Sequence, residues 1–96
     1  LVVGAPTQVG RNELFTITVT AVDAFGNVAT GYRGTVGFSV TDPHPQDSLP
    51  ADYAFQAGDH GVRTFRVSLR RRGTRTLTVR DRATAAIVGS ANTTVL

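Results

Sequence analysis

The residues able to do chemistry are few and scattered. The chain has no cysteine, so it offers neither a thiol nucleophile nor a thiolate ligand. Its serines, Ser39, Ser48, Ser68 and Ser90, all lie outside a Gly-x-Ser-x-Gly elbow. His44 and His60 fall in separate loop-like segments, a thin basis for zinc, and solvated loop histidines are the simpler reading. Asp42, Asp47, Asp52 and Asp59 crowd one stretch. A hard cation takes about six to eight oxygens, and this spacing lacks the alternating ligands of an EF-hand loop. Aspartate beside proline is also a good turn former. These residues predict no catalytic group, no metal and no cofactor.

Charge is the sharper local feature. All ten basic residues are arginine, and the net charge is +3. Eight of the ten fall between Arg63 and Arg82. Arg70, Arg71 and Arg72 occupy a turn, between strands carrying Arg66 and Arg80. If Arg66 and Arg80 share an exposed face, one end of the molecule is strongly basic and attracts anionic polymers by charge alone. Nucleic-acid modules interleave such bases with stacking aromatics, and none lies between Arg66 and Arg82, so no nucleic acid is expected. Phe25 and Tyr32 share one loop and form a candidate platform for carbohydrate. The candidate ligand surface is therefore Arg66, Arg70, Arg71, Arg72, Arg80, Phe25 and Tyr32. The plainer alternatives are a solvated basic face that guards strand edges and loop aromatics that plug the core. Asn92-Thr93-Thr94 fits the N-glycosylation acceptor pattern.

The elements that must hold these residues read as strands. In Glu13 to Asp23, Phe15, Ile17, Val19 and Ala21 alternate with Thr16, Thr18 and Thr20, which predicts one buried and one solvated face. The same alternation places Val36, Phe38 and Val40 inward, then Phe65, Val67 and Leu69, then Leu77 and Val79. A last strand spans about Ile87 to Leu96, with Ala91, Thr93 and Val95 competing against Asn92 and Thr94 for the inner face. A short strand is expected around Tyr53 and Phe55. An opening edge strand over Leu1 to Val9 is interrupted at Pro6, which an edge tolerates. About seven short strands at this spacing, with almost no helical periodicity, predict an antiparallel β-sandwich. Ninety-six residues make one domain, 1–96. The start at Leu1 suggests a piece of a larger multidomain protein. No apolar run spans a bilayer, and membrane insertion is not expected.

Val22-Asp23, Gly26-Asn27, Gly31, Gly34, Val36 and Phe38, followed by Leu49–Phe55, Gly58–Leu69 and Gly73–Asp81, carry a resemblance. In order and spacing they resemble the bacterial immunoglobulin-like domains of invasin- and intimin-type surface proteins, and more distantly filamin repeats. The likeness runs from about Phe15 to Leu96. It implies an immunoglobulin-like sandwich and a non-catalytic spacer role in an extracellular or cell-surface protein, with some adhesive capacity. Neighbouring domains of the same chain would be its partners, and the unit itself would be a monomer. Related domains sometimes hold calcium at domain junctions, where Asp23, Asp81 and the aspartate-rich loop would contribute. The alternative is a binding module for carbohydrate or an anionic polymer, attached to an adhesin or a secreted enzyme. Without the resemblance, Gly26 and Asn27 already make a cheap turn, and Asp23 is placed to accept backbone N–H bonds within it. Gly31 and Gly34 permit a bend or bulge before the next strand. A rod of such units requires residues 1 and 96 at opposite poles.

Overall fold

A computed structural model describes residues 1–96. It contains eight strands and one short 3-10 turn, Ala57–Asp59. The strands are β1 (Val2–Gly4), β2 (Gln8–Val9), β3 (Phe15–Thr20), β4 (Thr35–Val40), β5 (Tyr53–Ala54), β6 (Val62–Val67), β7 (Gly73–Asp81) and β8 (Val88–Val95). They form two sheets, β1-β3-β6 and β2-β8-β7-β4-β5. The chain is thus the expected all-β sandwich. Every ladder is antiparallel except β2–β8, which is parallel. No helix is long and apolar enough to cross a membrane.

Alternation sets the layers. Ile17, Val19, Val36, Val67, Leu77, Val79 and Val95 are at most 2% exposed and face the interior between the sheets. Phe38 and Phe65 are half-buried and stack edge-on, with ring centroids 4.7 Å apart. They touch both halves of the core and join them. The open register of the last strand resolves in favour of Thr93 and Val95. A buried Thr93 needs a partner for its hydroxyl, and Oγ1 donates to the Pro6 carbonyl at 2.7 Å.

The opening strand is two strands in two sheets. β1 pairs with β3, the chain breaks step at Pro6, and β2 pairs with β8. The expected interruption at Pro6 is therefore also a change of sheet, which accounts for one strand beyond the seven expected. A residue without an N–H sits where no ladder continues.

Register also fixes the poles. Val2 pairs with Thr20, and Val88 with Arg80, while the Leu1 ammonium reaches the Val88 carbonyl at 3.4 Å. Leu1 therefore shares an upper pole with the segments 21–34, 55–61 and 82–87. Val95 pairs with Gly73, and the Leu96 N–H donates to the Val9 carbonyl at 3.0 Å. Leu96 shares the lower pole with the segments 10–14, 41–49 and 68–72. The termini leave from opposite ends of a body measuring 36 × 23 × 22 Å. β6 is the long free edge of the smaller sheet, closed only at its lower end by a bridge between Ser48 and Ser68.

Candidate functional site

The loop Asp23–Gly34 behaves at its tip as its sequence requires. Asp23 Oδ1 accepts the backbone N–H groups of Phe25 and Asn27, each at 2.9 Å. The Asp23 N–H donates to the Asn27 carbonyl, and the Gly26 N–H donates to the Asp23 carbonyl. Gly26 takes φ +82°, and Asn27 does not need a positive φ. This closed turn holds Phe25 outward, 89% exposed.

Tyr32 goes the other way, so the expected Phe25–Tyr32 platform does not form. Tyr32 is half-buried, stacks edge-on against the buried Phe55 with centroids 5.1 Å apart, and donates its hydroxyl to Asp81 Oδ2. Asp81 Oδ1 meanwhile accepts the N–H groups of Ala83 and Thr84 at 2.8 and 2.9 Å. Gly34 lies beneath this knot, and a Cβ there would run into Asp81 Oδ2 and the Tyr32 hydroxyl. Its role is close approach, not the bulge expected of it. Gly31 faces open space and has no positive φ, and nothing in the structure explains it.

A second tyrosine–carboxylate pair stands beside the first. Tyr53 donates to Asp59 Oδ2 at 2.5 Å, and the Gln56 N–H reaches the same oxygen at 2.9 Å. Arg63 pairs with Asp59 at 3.4 Å and covers the Tyr53 ring at 5.1 Å. Neither tyrosine pair was visible in the sequence. Tyr32 and Asp81 are 49 positions apart, and only the fold brings them together.

These contacts shift titrations. The Tyr32 hydroxyl holds Asp81 below the ordinary carboxylate value, helped by the Thr84 and Ala83 N–H groups. The Tyr53 hydroxyl, then the Gln56 N–H, hold Asp59 down. The Asn27 and Phe25 N–H groups hold Asp23 down. Burial, then the Asp81 bond, push the Tyr32 phenol up. Carboxylates whose folded values lie below their unfolded ones stabilise the fold fully above about pH 4. That stability is lost as pH falls through the folded values. Thermal melting should therefore hold steady from neutral pH to about pH 5 and fall steeply below about pH 4. An unchanged midpoint down to pH 2 would contradict these contacts.

The candidate arginine face is divided. The β6–β7 connection crosses from one sheet to the other, so Arg66 lies on the outer face of the small sheet beside Thr16. Arg80 lies on the outer face of the large sheet beside Gly37 and Val88. Arg70, Arg71 and Arg72 sit at the lower pole, where the Arg70 N–H donates to Asp47 Oδ1 at 2.8 Å. Phe25 and Tyr32 belong to the upper pole. The seven candidate residues therefore make no single surface. Arg82, outside the candidate set, lies across Gly37 and grips Asp52 through two nitrogens at 2.9 and 3.1 Å.

The aspartates serve turns and ion pairs. Asp47 caps both His44 and Arg70, Asp42 pairs with Arg75 at 3.7 Å, and Asp52 holds Arg82. No three metal-ligating side chains gather anywhere in the chain. His44 Nδ1 accepts the Gln46 N–H at 3.1 Å, and His60 closes a turn at φ 51°. Comparison with protein-family models, curated proteins and solved structures finds no match to this chain.

Proposed function

We propose that the chain is a non-catalytic structural module, a spacer unit of a large extracellular or cell-surface protein that transmits tension along its axis. The observation behind this reading is the axial exit of the two ends, each from a strand zipped into the sandwich. Pulling Leu1 upward and Leu96 downward slides β1 along β3, and β8 along β7 and β2. All the hydrogen bonds of those ladders are then strained together. The β2 clip, with the Thr94 N–H donating to the Thr7 carbonyl at 2.9 Å and the Thr93 hydroxyl held by Pro6, ties the last strand to the first residues. A disulfide-free core can carry tension in this geometry.

The alternative, a module binding carbohydrate or an anionic polymer, has less behind it. Its arginines point in different directions, and its aromatic platform is missing.

Single-molecule stretching tests the mechanical reading. Handles at residues 1 and 96 load β1 and β8 in shear. Handles at Arg11→Cys and residue 96 pull apart two neighbouring strand ends at the same pole and unzip β2 from β8 bond by bond. The first geometry is expected to unfold in one cooperative event at clearly higher force. Equal forces in the two geometries would remove the mechanical role.

A further inference from the structure

The strand edges of the two sheets differ in what they leave open. β1, β2 and β5 are edges of two or three residues, whereas β6 is an edge of six. Neither a proline nor a bulge interrupts Val62–Val67, and its register against β3 is regular throughout.

Parity fixes which backbone groups of this edge are free. The Gly61 and Leu69 carbonyls accept from Ala21 and Asn12, which flank β3. Ser68 turns the other way and exchanges both of its groups with Ser48, at 2.9 and 3.1 Å. Arg63, Phe65 and Val67 therefore bond to β3, while Val62, Thr64 and Arg66 each aim an N–H and a C=O away from the sheet. The Ser48 bridge closes the lower end of this window. Two residues further on, Pro50 has no N–H to continue the bridge, and the chain departs for β5. Another strand satisfies every one of these free groups at once.

Side chains select which strand. Val62, Thr64 and Arg66 share the outer face with Thr20, Thr18 and Thr16 of β3 and with Val2 and Gly4 of β1. Arg66 is the one charged residue among these eight, exposed and without a carboxylate partner. The acids at the two ends of β6 are engaged. Asp59 holds Tyr53 and Arg63, Asp47 holds the N–H groups of His44 and Arg70, and the Glu13 carboxylate folds over Gly10. The uncompensated charge along the edge is therefore positive. A second copy fits it poorly. Pairing two β6 strands about Thr64 leaves Arg66 facing a valine and sets Arg63 diagonally beside its own copy, about 7–8 Å away. An acidic strand meets the opposite sign.

We propose that the free edge of β6 is a docking site for an extended acidic segment of another protein, which adds as an antiparallel strand with a carboxylate opposite Arg66. The guest then sets a β-branched residue opposite Thr64 and an apolar one opposite Val62, so acid, β-branched and apolar side chains follow one another at alternate positions from its N-terminus. β6 takes no part in the ladders that axial tension loads, so the docking site and the spacer role are independent.

A short peptide, capped at both ends, with glutamate, threonine and valine at successive alternate positions tests it at up to about 1 mM. Amide exchange followed by NMR is expected to slow at Val62, Thr64 and Arg66 and to stay unchanged at Arg63, Phe65 and Val67. The same peptide N-methylated at its threonine keeps its charge and loses its central donor, and is expected to bind at least about tenfold more weakly. Arg66→Glu is expected to weaken binding at least about fivefold, and lysine in place of the peptide's glutamate to restore it. Arg66 is exposed, and circular dichroism should show the variant folded. No slowing at about 1 mM peptide, equal binding of the N-methylated peptide, or indifference to Arg66→Glu would each overturn the proposal. Slowing of the same amides as the protein alone is concentrated would make a second copy the occupant and overturn it too. None of these outcomes changes the stretching comparison between the two handle geometries, so the spacer reading stands or falls separately.

Discussion

Asp81→Ala is expected to destabilise the domain by about 3–5 kcal/mol. The substitution strips three donors of their acceptor at once: the Tyr32 hydroxyl and the N–H groups of Ala83 and Thr84. Asp81 is only 5% exposed, and although water can reach the freed N–H groups of the exposed Ala83 and Thr84, it restores little at the Tyr32 hydroxyl. An orphaned buried donor costs about 1–3 kcal/mol, and the tyrosine is the most enclosed of the three. Tyr32→Phe removes the donor and leaves the carboxylate its two backbone partners, so it should cost about 1 kcal/mol. In the double variant the Tyr32 hydroxyl is no longer stranded, so the two effects should fall short of additive. Urea titrations of the four proteins check this. A loss below about 1 kcal/mol for Asp81→Ala, or strict additivity, would mean that the knot contributes little.

Gly61→Val is the second large effect, expected at about 4 kcal/mol. Gly61 takes φ +79°, a region that a β-branched residue almost never enters. Its Cβ would also stand 2.5 Å from the Ala29 carbonyl oxygen, which belongs to backbone and cannot swing aside. The strain contributes about 1–3 kcal/mol. Moving the segment to relieve the clash loosens the bond from the Ala21 N–H to the Gly61 carbonyl, now 2.8 Å long. Gly58→Val is the control, because nothing lies within 4 Å of a Cβ there and its φ is not positive. Thermal melts that rank the two variants equally would show that the tight approach at Gly61 is not what stabilises this pole.

The contrast between Asp23 and Asp81 shows which features the sequence reveals. Asp23 acts on residues two and four positions away, so the turn chemistry of Val22–Asn27 is readable directly. The inner faces of β3 and β7 are readable for a similar reason, because alternation is a local property. Asp81 meets Tyr32 only because β4 and β7 pair, 49 positions apart in sequence, and no spacing announces that pair. Arg66 and Arg80 mislead in a related way. A turn such as Arg70–Gly73 reads like a hairpin, which would keep both arginines on one face. It is instead a crossing between sheets, and that turns them apart. Thr93 looked no better than Asn92 as an inward residue until the Pro6 carbonyl supplied its partner from the far end of the chain. The fold class was therefore legible, and the candidate site was not. Its members depend on long-range geometry.

The clip that spans the two sheets bears on the timing of folding. Pro6 receives the Thr93 hydroxyl and Leu1 reaches Val88, each across 87 positions of sequence. Contacts of such separation close late, because the loop they seal is nearly the whole domain. On the ribosome, β1, β3, β4, β6 and β7 can assemble while β2 waits for β8 to emerge. Until then, the β7 edge of the nascent sandwich stands open. Slow synthesis through Ile87 to Leu96 would lengthen that exposure, and rapid release of the last strand would shorten it.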